Sequence, residues 1–526
     1  MEVAELESTA KAASLEAAAT ESDGPGEFVS PGRRILGNLL ALSAVRPLTW
    51  LTTIGLTILL PRYLGDVNLG KINFAFAFAD WCGLLASFGI ATYLAKEVAQ
   101  RRDRAPSIVF NAVTLRFALA LVIGGIAVIV ASLIGYDPLT RNLVYLLTAH
   151  MLLTVFLGVL IGALQGVQQL RIVALVDAVM KVLQVGLIAV FLLHGHGPIA
   201  VAIAYIAGDL VAVAWLLLAV RRRIGFAGPV SWGAWRSILR GGLPFLVWET
   251  ALLTYARVDV IILAVYADDA VLGWYGAAYR IIAIPLFVPA VLLTVMFPAL
   301  SAAARDSELF NRMARRAVLL VMLATVPMAF GLMAITENLI DLFGYPREFT
   351  NSILPTVLLA AALPLVGLNM MVGAILSARD QQRQWAIAGV IAAVLNVSLN
   401  FVAIPYAQTH FDNGAIGAAL VTSLTEVFLL VAGQVLLKRG ILDARTYVAA
   451  GKCMIIGIAM GVVVWLARDL PLVLTVPLGA GFYGLGVLVF GVVSRDDLVQ
   501  IRALLSRRGR ETDAALAPVA TNSDET

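Results

Sequence analysis

Apolar runs of about twenty residues, parted by short polar breaks, follow one another along almost the whole chain. A helix rises ~1.5 Å per residue, so about 20 such residues cross a hydrocarbon core of about 30 Å, whereas a barrel strand needs only about 10 and alternates in polarity. In lipid every backbone group must find its partner within the protein, which leaves helices for runs of this length. The pattern predicts an all-α integral membrane protein with about fourteen transmembrane helices. They fall over residues 36–60, 69–94, 107–134, 142–164, 172–193, 198–220, 242–266, 272–298, 317–343, 352–377, 385–406, 415–437, 448–467 and 471–493.

Composition agrees. The 526 residues are 60% hydrophobic and 14% charged, with a mean hydropathy of +0.90, where soluble domains carry about a quarter charged residues. No connecting loop is long enough to bury a core of its own. The polar, acidic residues 1–32 are expected to be a mobile cytoplasmic tail that lacks the apolar stretch of a secretory leader, and residues 495–526 a cytoplasmic C-terminal tail, basic to Arg510 and then polar. The two cysteines, Cys82 and Cys453, both lie in apolar runs, which argues against disulfides and thiolate metal sites. The four histidines show no ligand spacing. No G-x-x-x-x-G-K-[ST] loop occurs, so direct nucleotide drive and a bound cofactor are not expected.

The net charge of +4 reflects topology rather than a nucleic-acid partner. With the N-terminus inside, 28 of the 38 Lys and Arg fall in cytoplasmic segments and five in outer loops, the other five lying in spans. An even span count and this asymmetry place both termini in the cytoplasm.

The chain also repeats itself. Tyr63-Leu-Gly-Asp66-Val-Asn-Leu69-Gly70 matches Tyr266-Ala-Asp-Asp269-Ala-Val-Leu272-Gly273 at an offset of 203. Gly135-Tyr136 then matches Gly344-Tyr345, Gln168-Gln169 matches Gln381-Gln382, and Asp209 matches Glu426, at offsets growing to 217. Six spans separate the copies, which makes a parallel repeat about an axis along the membrane normal, one of the symmetries used by transporters, whose substrate site lies between the halves. The expected organisation is an N-lobe over 33–223, an interfacial linker over 224–241 around Trp232 and Trp235, a C-lobe over 242–440, and two further helices over 441–494.

Charges inside spans cost several kcal/mol on insertion scales of ~2.5–3.5 kcal/mol each, so they normally face a protein interior or a water-filled path. Arg46 and its repeat mate Glu249 would set opposite charges on the lead helices of the two halves. Arg257 and Asp259 lie two apart and point to opposite sides of one helix; Arg280 lies on the next. The planar guanidinium binds two oxygens of a phosphate at once, so Arg46, Arg257 and Arg280 are candidates to face an anionic head group, with Glu249 balancing them. In the plainer reading, Arg257 pairs with Glu249 and Arg280 snorkels to the surface. Asp80, Asp259, Asp209 and Glu426 are candidate proton or sodium sites, or else acids bonded between helices. Asn369, Asn396 and Asn400 either line a cavity or bond across helices. Asp177 and Lys181 read as a helix pair at i, i+4, Arg116 as a snorkelling residue, and His150 as a packed polar group.

Gly241-Gly-Leu-Pro244-Phe245, Arg257-Val-Asp259, Leu272-Gly-Trp-Tyr275 and Phe297-Pro-Ala-Leu-Ser301, with Phe88-Gly-Ile-Ala-Thr92 and Lys96-Glu97 in the first half, resemble the polysaccharide transport family. That family holds the O-antigen and exopolysaccharide repeat-unit flippases, in one superfamily with lipid II flippases and multidrug extrusion antiporters. The resemblance covers about residues 33–495. It implies two six-helix lobes, extra helices after them and alternating access around a central cavity in the cell inner membrane. The implied cargo is a polyprenyl-diphosphate-linked oligosaccharide turned from the inner to the outer leaflet, and a polysaccharide polymerase or assembly complex is an implied partner. Two alternatives stand beside it: an ion-coupled multidrug or cation antiporter, which calls for an anionic aromatic cavity, and a membrane-embedded glycosyltransferase or polymerase, which calls for a sizeable catalytic outer loop.

Overall fold

A computed structural model of the protein describes residues 31–492, and side chains from residue 47 onward except that of Trp248. The two expected tails (all but residues 31 and 32 of the first) and the side chain of Arg46 lie outside the described residues. Within them the chain forms fourteen α-helices and no strand. The first half contains α1 (Pro31–Ser87), α2 (Ile90–Gln100), α3 (Ala105–Ile134), α4 (Pro138–Gly166), α5 (Leu170–Leu193) and α6 (Pro198–Arg223). The second contains α7 (Trp232–Tyr266), α8 (Asp269–Ala303), α9 (Ser307–Leu342), α10 (Ile353–Ala378), α11 (Gln382–Phe411) and α12 (Gly414–Leu436), and α13 (Ala444–Leu466) and α14 (Leu472–Val489) follow.

Twelve stretches among the described residues are long and apolar enough to cross a membrane. Two further passages are visible in the backbone. The first stretch, Pro47–Gln100, holds two spans, because Gly65 (φ 73°, ψ 176°) turns the chain inside α1. Helix α7 is long enough to span but carries Arg236, Arg240, Glu249, Arg257 and Asp259. The fourteen predicted spans are therefore present. Trp232–Arg240 is not a separate interfacial helix: it is the first part of α7, and Trp235 bonds Thr114 of α3 through Nε1 at 3.4 Å.

Local chemistry sets the helix ends. Asp137, Asp306, Asn413 and Asp443 each accept backbone N–H groups at a helix start, satisfying donors that have no partner within the helix. Left-handed residues end helices in matching places of the two halves. Gly135 and Gly344 are 209 residues apart, Gln168 and Asp380 are 212 apart, and Gly195 and Asp412 are 217 apart. The repeat read from side chains is thus also a repeat of backbone turns. Large apolar residues such as Leu133, Val435 and Val473 stay exposed on the perimeter, as a lipid-facing surface requires.

The halves meet along α1 and α8, and there the repeated motif touches itself. A Cβ built on Gly70 would lie 1.7 Å from the carbonyl oxygen of Asp269, and one built on Gly273 would lie 2.0 Å from that of Asp66. This reciprocal contact between repeat mates marks the two-fold relation of the lobes. Asn73 reaches over Gly276, where a Cβ would fall 1.5 Å from its Nδ2, to donate to the Leu272 carbonyl at 3.3 Å. Near the other end α2 meets α7: a Cβ on Gly242 would lie 2.3 Å from the Phe88 carbonyl oxygen, and Gly89 (φ 63°) packs on Phe245.

Only hydrogen fits at these positions, so Gly70→Ala and Gly273→Ala should each lower the unfolding midpoint in detergent, by overpacking of roughly 1–3 kcal/mol. Gly186→Ala, in α5 with open space around it, should raise stability by up to about 1 kcal/mol. Thermal melts of the three variants test this; seam variants that melt like Gly186→Ala would refute the close backbone approach.

Candidate functional site

A cavity of about 490 Å³ lies between α1, α7 and α8, beside the seam. Thr53, Leu56, Thr57 and Asn73 line it from α1, Arg257 and Val260 from α7, and Tyr275, Tyr279 and Arg280 from α8. These are the lead helices of the two halves and the mate of the second span. The cavity therefore sits between the lead helices of the two halves.

Arg257 and Arg280 are brought together on its wall. Arg257 is half-exposed, and its Nε meets Asp80 Oδ2 at 3.0 Å. Asp80 is thus an acid bonded between helices, and Arg257 pairs with it across the lobes rather than with Glu249 on its own helix. Glu249 instead accepts from Ser87 Oγ at 2.8 Å and is not among the cavity-lining residues. Arg280 does not snorkel: it lines the cavity, and its Nε is buried with no hydrogen-bond partner among the described residues. Its backbone carbonyl accepts from Thr57 Oγ1 at 3.2 Å, while the Thr57 carbonyl accepts from the Tyr345 hydroxyl.

Asp259 stands behind this wall. It is 1% exposed and accepts hydrogen bonds from Tyr275, from Tyr279 at 3.4 Å and from the Val260 amide at 2.8 Å. Both hydroxyls are thereby engaged by Asp259, and the two rings, 4.9 Å apart, line the cavity. Arg257 and Asp259 face opposite ways, as their spacing demands.

The other two acids occupy matching places in the lobes. In the first, Asp209 of α6 accepts from Gln184 Nε2 at 3.0 Å and meets His150 Nδ1 of α4 at 2.5 Å. In the second, Glu426 of α12 accepts from Asn369 Nδ2 of α10 at 2.7 Å and from the Tyr255 hydroxyl. Each lobe thus holds a carboxylate of its sixth span against a residue of its fourth. Asn396 donates to Thr425 Oγ1 at 3.3 Å and accepts from Asn400 at 2.9 Å. Asn369 also borders a separate space of about 1110 Å³ with Arg383 and Trp385, so Asn369 and Asn396 stand apart from the α1/α7/α8 cavity. Asp177 and Lys181 pair at 3.0 Å as the spacing predicts. Arg116, expected to snorkel, is instead 1% exposed and donates to the Ala86 carbonyl. No group of His, Cys, Asp and Glu among the described residues has the arrangement of a metal site.

The seam closes over one end of the cavity. Lys71 bridges Asp137 at 2.8 Å and Asp269 at 3.7 Å, and Trp274 Nε1 donates to Asp66 at 3.0 Å. Burial pushes the Asp137 carboxyl up, but hydrogen bonds from Lys71 and Thr140 outweigh it and hold the group at about 2. Beside the cavity, also bordered by α1 and α8, lies an apolar pocket of about 600 Å³, bounded by Trp50, Ile54, Ile281, Met328, Met460 and Val476 from five helices. A polar cavity and an apolar groove therefore flank the same two helices. Sequence reading missed Asn73, Thr53, Thr57, Tyr275 and Tyr279 as lining residues. The i, i+4 spacing of the two tyrosines, ending at Arg280, and the place of Asn73 just after the repeated Gly70 were the available signals.

The chain matches the family described as polysaccharide biosynthesis protein over residues 59–354. It is 23% identical over 368 residues to the probable low-salt glycan biosynthesis flippase Agl15 of Haloferax volcanii, covering 69% of this chain and 75% of that one. It is 23% identical over 473 residues to the probable flippase AglR of the same organism, covering 85% and 94%. Among solved structures, the lipid II flippase MurJ in an inward closed conformation superposes with a TM-score of 0.72 at 15% identity, over 86% of this chain and 98% of that one. An inward-facing multidrug resistance MATE family transporter of the MOP superfamily superposes with a TM-score of 0.59 at 16% identity, over 75% and 97%. The match spans more than half of the sequence, and this multi-pass membrane protein belongs to the polysaccharide biosynthesis protein family.

Proposed function

We propose that the protein is a flippase that carries a polyprenyl-diphosphate-linked oligosaccharide from the inner to the outer leaflet by alternating access. The observation that carries this reading is the cavity holding Arg257 and Arg280, backed by an apolar groove on the same helices. Two guanidiniums against the single carboxylate of Asp80 leave the wall positive, which suits a diphosphate. Thr53, Thr57 and Asn73 offer sugars hydrogen-bonding groups. The lipid tail can follow the groove while the head crosses. The flippase names of the Haloferax volcanii relatives point the same way. The basic ends of the spans face the cytoplasm in this reading, with both termini there, and the Gly70–Gly273 seam is the outer closure.

The lobes would rock as the two six-helix halves 33–223 and 242–440, with Arg46 facing the same path from the lead helix. The Asp80–Arg257 pair joins the halves when no cargo is bound, and an entering diphosphate competes with Asp80 for the guanidinium. The enclosed carboxylates Asp209 and Glu426 are the coupling-ion candidates, one per lobe; Asp259 serves the tyrosine wall. A multidrug antiporter fits less well, because its cationic cargo would meet two arginines. A polysaccharide polymerase or assembly complex is the expected partner downstream of the outer leaflet.

Liposomes carrying a fluorescent polyprenyl-diphosphate sugar in both leaflets, quenched by external dithionite, test the reading. Exchange should require the protein and should fall at least roughly tenfold in Arg257→Ala and in Arg280→Ala, since a hydrogen bond to a charged group is worth about 1.5–3 kcal/mol. Exchange that survives both changes would discard the site; none in any condition, with or without an ion gradient, would discard the flippase. Asp80→Asn should tighten binding of the soluble diphosphate sugar, measured by calorimetry, whereas unchanged binding would remove Asp80 from the competition. If Asp209 and Glu426 take up the coupling ion, Asp209→Asn and Glu426→Gln should abolish the acceleration of exchange by an imposed proton or sodium gradient while leaving gradient-free exchange; acceleration intact in both would dismiss them as coupling sites.

A further inference from the structure

A second concave site lies far from the seam, where the start of α9, the start of α13 and the end of α14 meet. It encloses about 590 Å³. Arg315 and Arg316 border it from α9, and Arg445 and Lys452 from α13, against the single carboxylate of Asp443. This is the end of the spans at which Lys and Arg accumulate.

These cations have different work. Arg315 is fully engaged: Nη1 meets Asp443 at 2.8 Å, Nε donates to the Ile441 carbonyl at 3.0 Å and Nη2 to the Gly440 carbonyl at 2.9 Å. Asp443 also caps α13 through Thr446, whose hydrogen bonds, with the nearby Arg315, hold its carboxyl below the usual carboxylate range. These two residues cancel and fix the rim. Arg445 is exposed at the first turn of α13, and Lys452, two turns deeper, donates to the Phe490 carbonyl at 2.8 Å. A rise of seven residues along a helix is about 10 Å, so Arg445 and Lys452 bracket the depth of a phospholipid headgroup. Between them the wall is apolar, formed by Leu319, Val448 and Ala449, and Val448 is exposed toward the perimeter. A soluble anion needs no such wall; an acyl chain does.

We propose that this pocket binds the headgroup of an anionic glycerophospholipid of the surrounding leaflet, with its phosphate on Arg445 and Lys452 and the start of its acyl chains against Val448 and Ala449. Basic pockets between transmembrane helices on the cytoplasmic side suit such headgroups, each Lys or Arg near the surface adding about fivefold in affinity. The occupant is structural lipid of the membrane rather than cargo, because the site shares no lining residue with the α1/α7/α8 cavity.

Native mass spectrometry of the full chain in detergent, titrated with phosphatidylglycerol and with phosphatidylcholine, tests this. Wild type should retain phosphatidylglycerol preferentially. Arg445→Gln with Lys452→Gln should lose roughly 25-fold of that preference, whereas Arg221→Gln with Arg222→Gln, the same charge removed at the end of α6, should keep it. Ala449→Trp should weaken retention with the charges intact. Equal retention of the two lipids by wild type, as would follow if the chain's own Asp496 and Asp497 filled the pocket, overturns the proposal. Loss of preference in the Arg221/Arg222 variant would reduce it to net charge and also overturn it. Displacement of the lipid by millimolar inorganic diphosphate would assign the site to free anions instead.

Discussion

The architecture depends on a backbone-to-backbone contact at the two-fold axis. Where Gly70 meets the Asp269 carbonyl and Gly273 meets the Asp66 carbonyl, two helices approach as closely as hydrogen atoms allow. With little hydrophobic driving force between helices in lipid, such small-residue contacts supply much of the attraction. They also set the spacing of α1 and α8 along the rest of their length. The cavity between α1, α7 and α8 opens beside this contact. Because the contact is made by one motif and its repeat, neither half can change it alone.

Charge placement is the second constraint. Asp259, Asp209 and Glu426 each meet two or three donors inside the protein, which makes a buried acid tolerable. The pairing is local to a lobe for Asp209 and Glu426. Two ion pairs cross between the lobes among the described residues, Lys71–Asp269 at the seam and Asp80–Arg257 at the cavity. Of these, only the second involves a residue that lines the cavity.

Much of this was legible in the chain. Hydropathy yields fourteen spans, because lipid imposes one length scale on every helix. The repeat was legible because its turns need particular residues: Gly135 and Gly344 stand in the left-handed region, where side chains are strained. Arg257 and Arg280 were legible as interior groups by cost alone. Partners were not. Asp80 and Arg257 are 177 residues apart, and spacing on one helix says nothing about which side chain a neighbouring helix presents. Arg116 illustrates the opposite error: its place near a helix end suggested snorkelling, yet the carbonyl of Ala86, left open where α1 breaks at Ser87, draws it inward. The tyrosine wall was missed because aromatic residues on an apolar helix carry no cost that would single them out.

In the proposed reading, the allocation of Asp259 bears on what the cavity can hold. If its carboxylate faced the cavity, two acids would balance two arginines and the site would suit a neutral or zwitterionic guest. Tyr275 and Tyr279 instead donate to its Oδ2 and the Val260 amide to its Oδ1. Asp80 remains alone, and it is already bound to Arg257. Arg280 then faces the cavity with a buried Nε that finds no partner among the described residues. On that reading, a guanidinium held this way attracts an anion more strongly than one at a surface. In the proposed reading, the tyrosines favour an anionic guest without contacting it, because they take one negative charge off the wall.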